Sequence, residues 1–343
     1  MSRFSNKLLQ PFCLGLTTVA IAALAACSSN PVDPPPPTVP AAEPATSPPV
    51  VGQPPGTIWP LGTGAHNALL DEATGSLAVL GPGPAGQSAV TLFPTTSPPR
   101  TVLMPAEATA MTDGDGRLYL STRGGYFDVD PTDGTVERVD VEGQSDAEFT
   151  AIARRQDGRL VLGTADGAVL TLDSPDTVGA SLSIFARVDA LVTQGDTTVV
   201  LDRGQTSVTA VDAGGTKAAQ ALRAGDGATS IATDPMGRVL VADTRGDELL
   251  VFGTDPLIMR QRYPVPGAPY GLAGSRQLAW VSQTATNTVI GYDLATGIPV
   301  EKVRHPTVQQ PNSLAYDEAS GTLYVVSGSG DGVQVIPDAA VSG

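Results

Sequence analysis

Between Ala228 and Asp255 the chain reads ATSIATDPMGRVLVADTRGDELLVFGTD, in which short apolar runs stop at Gly, Asp and Pro. This is the punctuation of strands and hairpins rather than of a helix. It predicts three strands, SIATD, GRVLVAD and DELLVFG, with turns at Asp234–Gly237 and Thr244–Asp247. A lone three-stranded ribbon buries too little apolar surface to fold by itself. It needs neighbours of its own kind.

The rest of the chain supplies them. The second strand of the unit recurs as GSLAVL (Leu77), GRLYLS (Leu118), GRLVLG (Leu160), DTTVVL (Thr198), GRVLVA (Val239), RQLAWV (Leu278) and GTLYVV (Leu323). The spacing of about 38 to 45 residues is that of four-stranded propeller blades. A strand ending in a turn precedes each segment (LLDEATG, AIARRQDG, LAYDEASG). A third strand follows (AVLTLD, ELLVFG, VIGYDL), and a variable fourth closes most units (TVERVDV, LSIFA, PVEKVRH). The last unit stops after its third strand near Pro337, while Gly56–Ala65, GTIWPLGTGA, stands unassigned ahead of the first. Pairing these two ends supplies the missing outer strand and removes exposed sheet edges. The expected fold is therefore all-β, a seven-bladed β-propeller over residues 57–343 closed by an N-terminal strand. Six blades is the alternative, with the fourth unit degenerate because DTTVVL lacks the leading Gly.

The pattern ahead of this domain is different. Residues 1–26 carry Arg3 and Lys7, then an apolar run from Leu14 to Ala26, the layout of a secretory signal peptide. The run ends Leu24-Ala25-Ala26-Cys27, which resembles the bacterial lipobox. That resemblance implies cleavage before Cys27 and acylation of Cys27, hence a cell-membrane lipoprotein held on the extracytoplasmic face; two or three acyl chains anchor stably where one does not. Cys13, the other cysteine, lies in the removed segment, so the mature chain would hold neither a disulfide nor a reactive thiol. Residues 27–56 are rich in Pro and small residues, predicting a disordered, extended spacer of at most roughly 90 Å.

Composition narrows the function. The formal charge of −15 becomes two units more negative without residues 1–26. Such a surface does not attract phosphate backbones, so no nucleic-acid partner is expected, and charge is not what would hold the chain to anionic lipid. The expected partners are the membrane, through the anchor, and a protein or cell-wall component; the propeller itself is expected to be a monomer. With 5% aromatic residues, the core is expected to be mainly Val, Leu, Ile and Ala.

Chemistry-bearing residues are sparse. His66 falls in the first strand of unit one, at the place matched by Thr229, Tyr270 and Asn312 in units five to seven. Innermost propeller strands line the central channel, so these four are expected to share a cavity there with Glu107, Glu148 and Arg187. Alternatively they satisfy backbone groups at strand starts. Two scattered histidines and no clustered carboxylates lead us to expect no metal or cofactor. Asp113-Gly114-Asp115-Gly116 lacks the later ligands of a calcium loop and reads as a hairpin turn; Arg154-Arg155 reads as exposed turn chemistry.

The unit DPMGRVLVADTRGDELLVF resembles NHL repeats, and units six and seven resemble the related YVTN repeats. FTAIARRQDGRLVLGTADGAVLTL, PYGLAGSRQLAWVSQTATNTVIGYDLATGIPVEKV and VQQPNSLAYDEASGTLYVVSGSG are similar to mycobacterial lipoproteins of the LppL type. The resemblance implies an exported, lipid-anchored propeller and carries no reaction with it. Propeller lactonases place Glu, Asp and Asn on a channel metal, and Asn312 matches that pattern alone. The leading expectation is a non-enzymatic binding or scaffold module. The alternative is a small-ligand receptor or a hydrolase of lactonase type using the channel; a sensory ectodomain is a third reading.

Overall fold

The structure, a computed structural model, describes residues 37–341 apart from Thr63, Glu72 and Ala73. The expected signal peptide, residues 1–26, and Cys27 lie outside the described residues. The described chain forms seven antiparallel sheets of four strands each. The fifth blade shows how sequence becomes structure. Its strands run Ala228–Thr233, Arg238–Asp243, Glu248–Thr254 and Leu257–Pro264. Pro235 and Gly237 (φ +81°) fall in the turn between the first two, where neither has to extend a ladder.

The fourth unit, despite its missing glycine, is a complete blade of Ala190–Gln194, Thr197–Asp202, Ser207–Val211 and Ala218–Arg223. The six-bladed alternative therefore falls. The ring closes as expected: Thr57–Trp59 pairs with Val333–Ile336, with Trp59 opposite Val333, and becomes the outer strand of blade seven. Gly56, at φ +82°, leads into this pairing so closely that a Cβ would meet the Val335 carbonyl oxygen at 2.0 Å.

Seven apolar clusters hold the ring together, each shared by two adjacent blades. Strands alternate their side chains between the two faces of a sheet, so every blade feeds one set into each neighbouring cluster. Val, Leu, Ile and Ala dominate, as composition required. The cluster at the closure, between blades seven and one, is aromatic: Trp59 stacks on Phe93 at 5.1 Å and leans on Tyr324 at 5.8 Å. His305 lies in the wall of blade six, where Nε2 meets the Ala339 carbonyl and the ring stacks near Trp280.

Two expectations need correction. Residues 37–56 are not a free spacer. They run over one face of the propeller across blades four to seven, with Ala42 and Ser47 buried (6% and 4% exposed). We call this segment the strap. Composition correctly denied it a sheet ladder, but its carbonyls and a few amides still bond to loops of the body. Arg154-Arg155 is not exposed turn chemistry either: Arg154 ends the strand Phe149–Arg154, pairs with Asp115 and lines the central cavity, and Arg155 is more enclosed still. The Arg155 side chain is buried, donating to the Ala213 carbonyl at 2.7 Å and pairing with Asp157 at 3.0 Å. Asp115-Gly116 does form the expected hairpin turn, between Met111–Gly114 and Arg117–Thr122.

Candidate functional site

The seven innermost strands enclose a central cavity of about 670 Å³. Its wall includes apolar residues such as Leu69, Ala151, Leu191 and Leu314, but its exposed lining is mainly polar. Polar groups gather at its ends. The upper end, where each innermost strand begins, holds His66, Asp189, Arg203, Tyr270 and Asn312; the lower end holds Asp113, Arg154 and Tyr316.

A repeated irregularity presents the upper group. In blades three, five, six and seven the ladder slips between Phe149 and Ala151, Ala228 and Ser230, Pro269 and Leu272, and Pro311 and Ser313. Thr150, Thr229, Tyr270 and Asn312 sit at those slips. A bulge re-aims the side chain it carries, which is how an otherwise regular barrel of strands offers these residues to the channel. The neighbouring hydroxyls fasten blade to blade. Thr150 Oγ1 donates to the Val188 carbonyl, Ser230 Oγ to that of Tyr270, and Ser282 Oγ to that of Pro311.

His66, Thr229, Tyr270 and Asn312 thus all line one cavity. Thr229 is also tied structurally, its buried hydroxyl 2.6 Å from that of Thr244. Asn312 Oδ1 accepts from Gln310 Nε2 at 3.1 Å, and Gly328 makes room for it, since a Cβ there would fall 2.4 Å from Asn312 Nδ2. Burial pushes the Tyr270 phenol above its ordinary value, while Arg203 pulls it down and Glu43 of the strap raises it.

Glu107, Glu148 and Arg187 are placed differently. They are exposed on the rim of the upper face, outside the cavity wall. Thr109, Thr150 and Asp189, two residues further on, take the expected positions. Arg187 still reaches inward, pairing with Asp189 at 3.4 Å and with Glu148 at 3.9 Å.

Sequence reasoning missed Asp189 and Arg203. Burial raises the Asp189 carboxyl above its ordinary value, opposed by the backbone N–H of Arg203 and by the charges of Arg203 and Arg187. Arg203 sat inside the turn-like string LDRGQT. Its Nη2 donates to the Ala42 carbonyl and, at 2.9 Å, to Glu43 Oε1 of the strap. The only signal for Asp189 was its spacing two residues beyond Arg187. Among the described residues, no group of three or more His, Cys, Asp or Glu side chains converges as a metal cage.

No protein-family model and no curated protein sequence matches the chain. Solved structures do match its shape. A virginiamycin B lyase from Staphylococcus aureus gives a TM-score of 0.65 at 10% identity, covering 82% of this chain and 98% of that one. A chain of the mitotic checkpoint complex gives 0.68 at 13% identity, covering 86% and 98%. BBS1N, solved in complex with ARL6DN, gives 0.61 at 10% identity, covering 82% and 93%. The likeness is one of fold alone. It includes a lyase and members of protein complexes, so the choice between them falls to the site.

Proposed function

We propose that this chain is a lipid-anchored, extracytoplasmic β-propeller that binds a protein, peptide or cell-envelope component on its upper face. One observation carries the reading: that face already holds a peptide. The strap is gripped in an extended form by side chains from loops of blades four to six and from the start of blade seven, including Arg203, Arg245, Asn287 and Gln310. Propellers of this fold in the mitotic checkpoint complex and in the BBS1N complex lend support by analogy. The anchor rests on Leu24-Ala25-Ala26-Cys27, and the kinship with LppL-type lipoproteins and NHL or YVTN repeats rests on the stretches quoted above. Crosslinking on intact cells, followed by purification of the chain, should return a specific partner; recovery of nothing specific counts against the reading. Cys27→Ala should release the chain from the membrane fraction, and unchanged fractionation would defeat the anchor.

A second reading is favoured by the cavity, into which Asp189, Arg203, Tyr270, His66 and Asn312 converge. A small polar ligand or a lactone would then sit at its upper end. This reading expects a ligand-induced rise in melting temperature that His66→Ala or Asn312→Ala abolishes without unfolding the protein. Blank results from a lactone and ester panel and a metal screen would remove it.

A further inference from the structure

The way the strap is held specifies what else its groove accepts. Most of the grip falls on backbone groups. Arg245 donates to the Pro40 carbonyl at 2.6 Å, Arg203 to that of Ala42, and Gln310 to that of Ala45 at 2.9 Å. Gln309 donates to the Ser47 carbonyl at 3.0 Å and Asn287 to that of Pro48 at 2.7 Å. In return the strap donates from three amides, Val39 to the Gly204 carbonyl, Ala45 to Thr284 Oγ1 and Ser47 to Gln310 Oε1. Pro40 and Pro44, which have no N–H to give, fall between those three positions, and Pro48 and Pro49 follow directly after the last of them. The groove therefore reads an extended, proline-compatible backbone, the shape such sequences adopt before binding.

Two side-chain requirements remain. Ala42 is buried so close to Gly227 that a Cβ on that glycine would lie 2.9 Å from its own, and Ser47 Oγ donates to the Thr284 carbonyl. Both positions demand small residues. The third feature is a charge: Glu43 places its carboxylate on Arg203, itself part of the channel wall. That pairing is one-sided. The buried Nε of Arg203 has no hydrogen-bond partner, although a guanidinium can hold a carboxylate through two parallel bonds. A buried donor left unmatched calls for an explanation. A tethered occupant, held in place by its neighbours rather than by an optimal fit, supplies one.

We propose that this groove, centred on Arg203, is a docking site for an extended, proline-rich peptide that carries a carboxylate, and that residues 38–48 are its resident occupant. This deepens the binding-module reading and rests on it. A partner's peptide of the same chemistry competes with the strap and completes the Arg203 fork. A segment tethered this closely has an effective concentration on the order of 1 mM. An intrinsic dissociation constant of about 10 µM would then mask the groove about 100-fold against a free peptide.

The test titrates a fluorescein-labelled peptide, PTVPAAEPATSPP, into the full-length chain and follows anisotropy. Wild type should bind weakly. The double variant Ala42→Arg with Ser47→Arg, which places a cation beside Arg203 and large side chains at both buried positions, should bind about 100-fold more tightly. In that background Arg203→Ala, or Gln in place of the peptide's Glu, should each cost about tenfold, while Arg123→Ala, at an exposed arginine of blade two paired with Asp146, should change nothing. Equal affinity for wild type and double variant, no binding to either, or indifference to Arg203 would overturn the proposal. Should the double variant fold poorly, hydrogen exchange on wild type replaces it. Saturating peptide should then speed exchange at Val39, Ala45 and Ser47, and unchanged rates would overturn the proposal. Failure here, with a partner still captured by cell-surface crosslinking, would remove the peptide groove and leave the broader reading standing.

Discussion

Removing the Trp59 ring probes the closure of the ring of blades. Trp59 belongs by hydrogen bonding to blade seven, yet it stacks on Phe93 of blade one, so one side chain spans the joint between the chain's ends. Truncating a fully buried aromatic to alanine costs about 3–5 kcal/mol. Trp59 is only half-buried, which lowers the area contribution to roughly 1.5–2.5 kcal/mol. Its contacts with Phe93 and Tyr324 add about 0.5–1.5 kcal/mol. We expect Trp59→Ala to lose about 2–4 kcal/mol. Unfolding entropy for a domain of this size is about 0.6 kcal/mol/K, so the melting temperature should fall by about 3–7 °C. Ile58→Ala is the control, because Ile58 is in the same strand but 46% exposed; it should stay within about 0.5 kcal/mol. Differential scanning calorimetry reads both. If Trp59→Ala melts within 1 °C of wild type, or both variants fall equally, the closing strand is not stapled by this ring and the reasoning fails.

Other consequences follow from buried polar groups. Asp243 is fully buried and accepts from the amides of Asp226, Gly227 and Gly246 at 2.8, 2.7 and 3.0 Å. Asp243→Ala strands all three and should cost about 3 kcal/mol in urea unfolding, with Asp243→Asn recovering much of it; a loss below about 1 kcal/mol would show that the loop relaxes or hydrates. Asp189 gives a pH test. Its folded carboxyl holds its proton above the ordinary value of 3.8, so its contribution to stability is present below that pH and is lost as pH rises through the raised value. Asp189→Asn should therefore gain melting temperature relative to wild type between pH 3.5 and 6, and an offset that does not change with pH would refute this. Amide exchange at Val39, Ala45 and Ser47 should be slower than at Thr38 and Ala41, for which no bond is seen; uniform fast exchange across the strap would contradict its docking.

The blades were legible because each hairpin is local: Gly, Asp and Pro fix its turns, and alternating apolar residues fix its faces. Closure was legible from a missing strand at one end and a spare one at the other. The strap was not, because its partners lie more than 150 residues away, at Arg203, Arg245, Thr284 and Gln310. Local reading sees only that such a segment cannot build a core. His66, Tyr270 and Asn312 were placed in one cavity from repeat alignment alone. Glu107 and Arg187 were not, because the hairpin joining the first two strands has two loop residues in blades two and four against four in blades five and seven, which shifts the first strand's register by two. Glu148 likewise fell two residues short, in a blade whose first strand carries a bulge. Asp189 and Arg203 owe their prominence to packing around the channel mouth, which repeat alignment does not reveal.

The most direct test of upper-face binding places a photoreactive amino acid at Arg187, on the rim of that face, and separately at Met236, 61% exposed in a turn on the opposite face. Irradiation of cells carrying each variant should give partner adducts from position 187 and none from position 236. Adducts from position 236 alone, or the same adducts from both, would contradict the account.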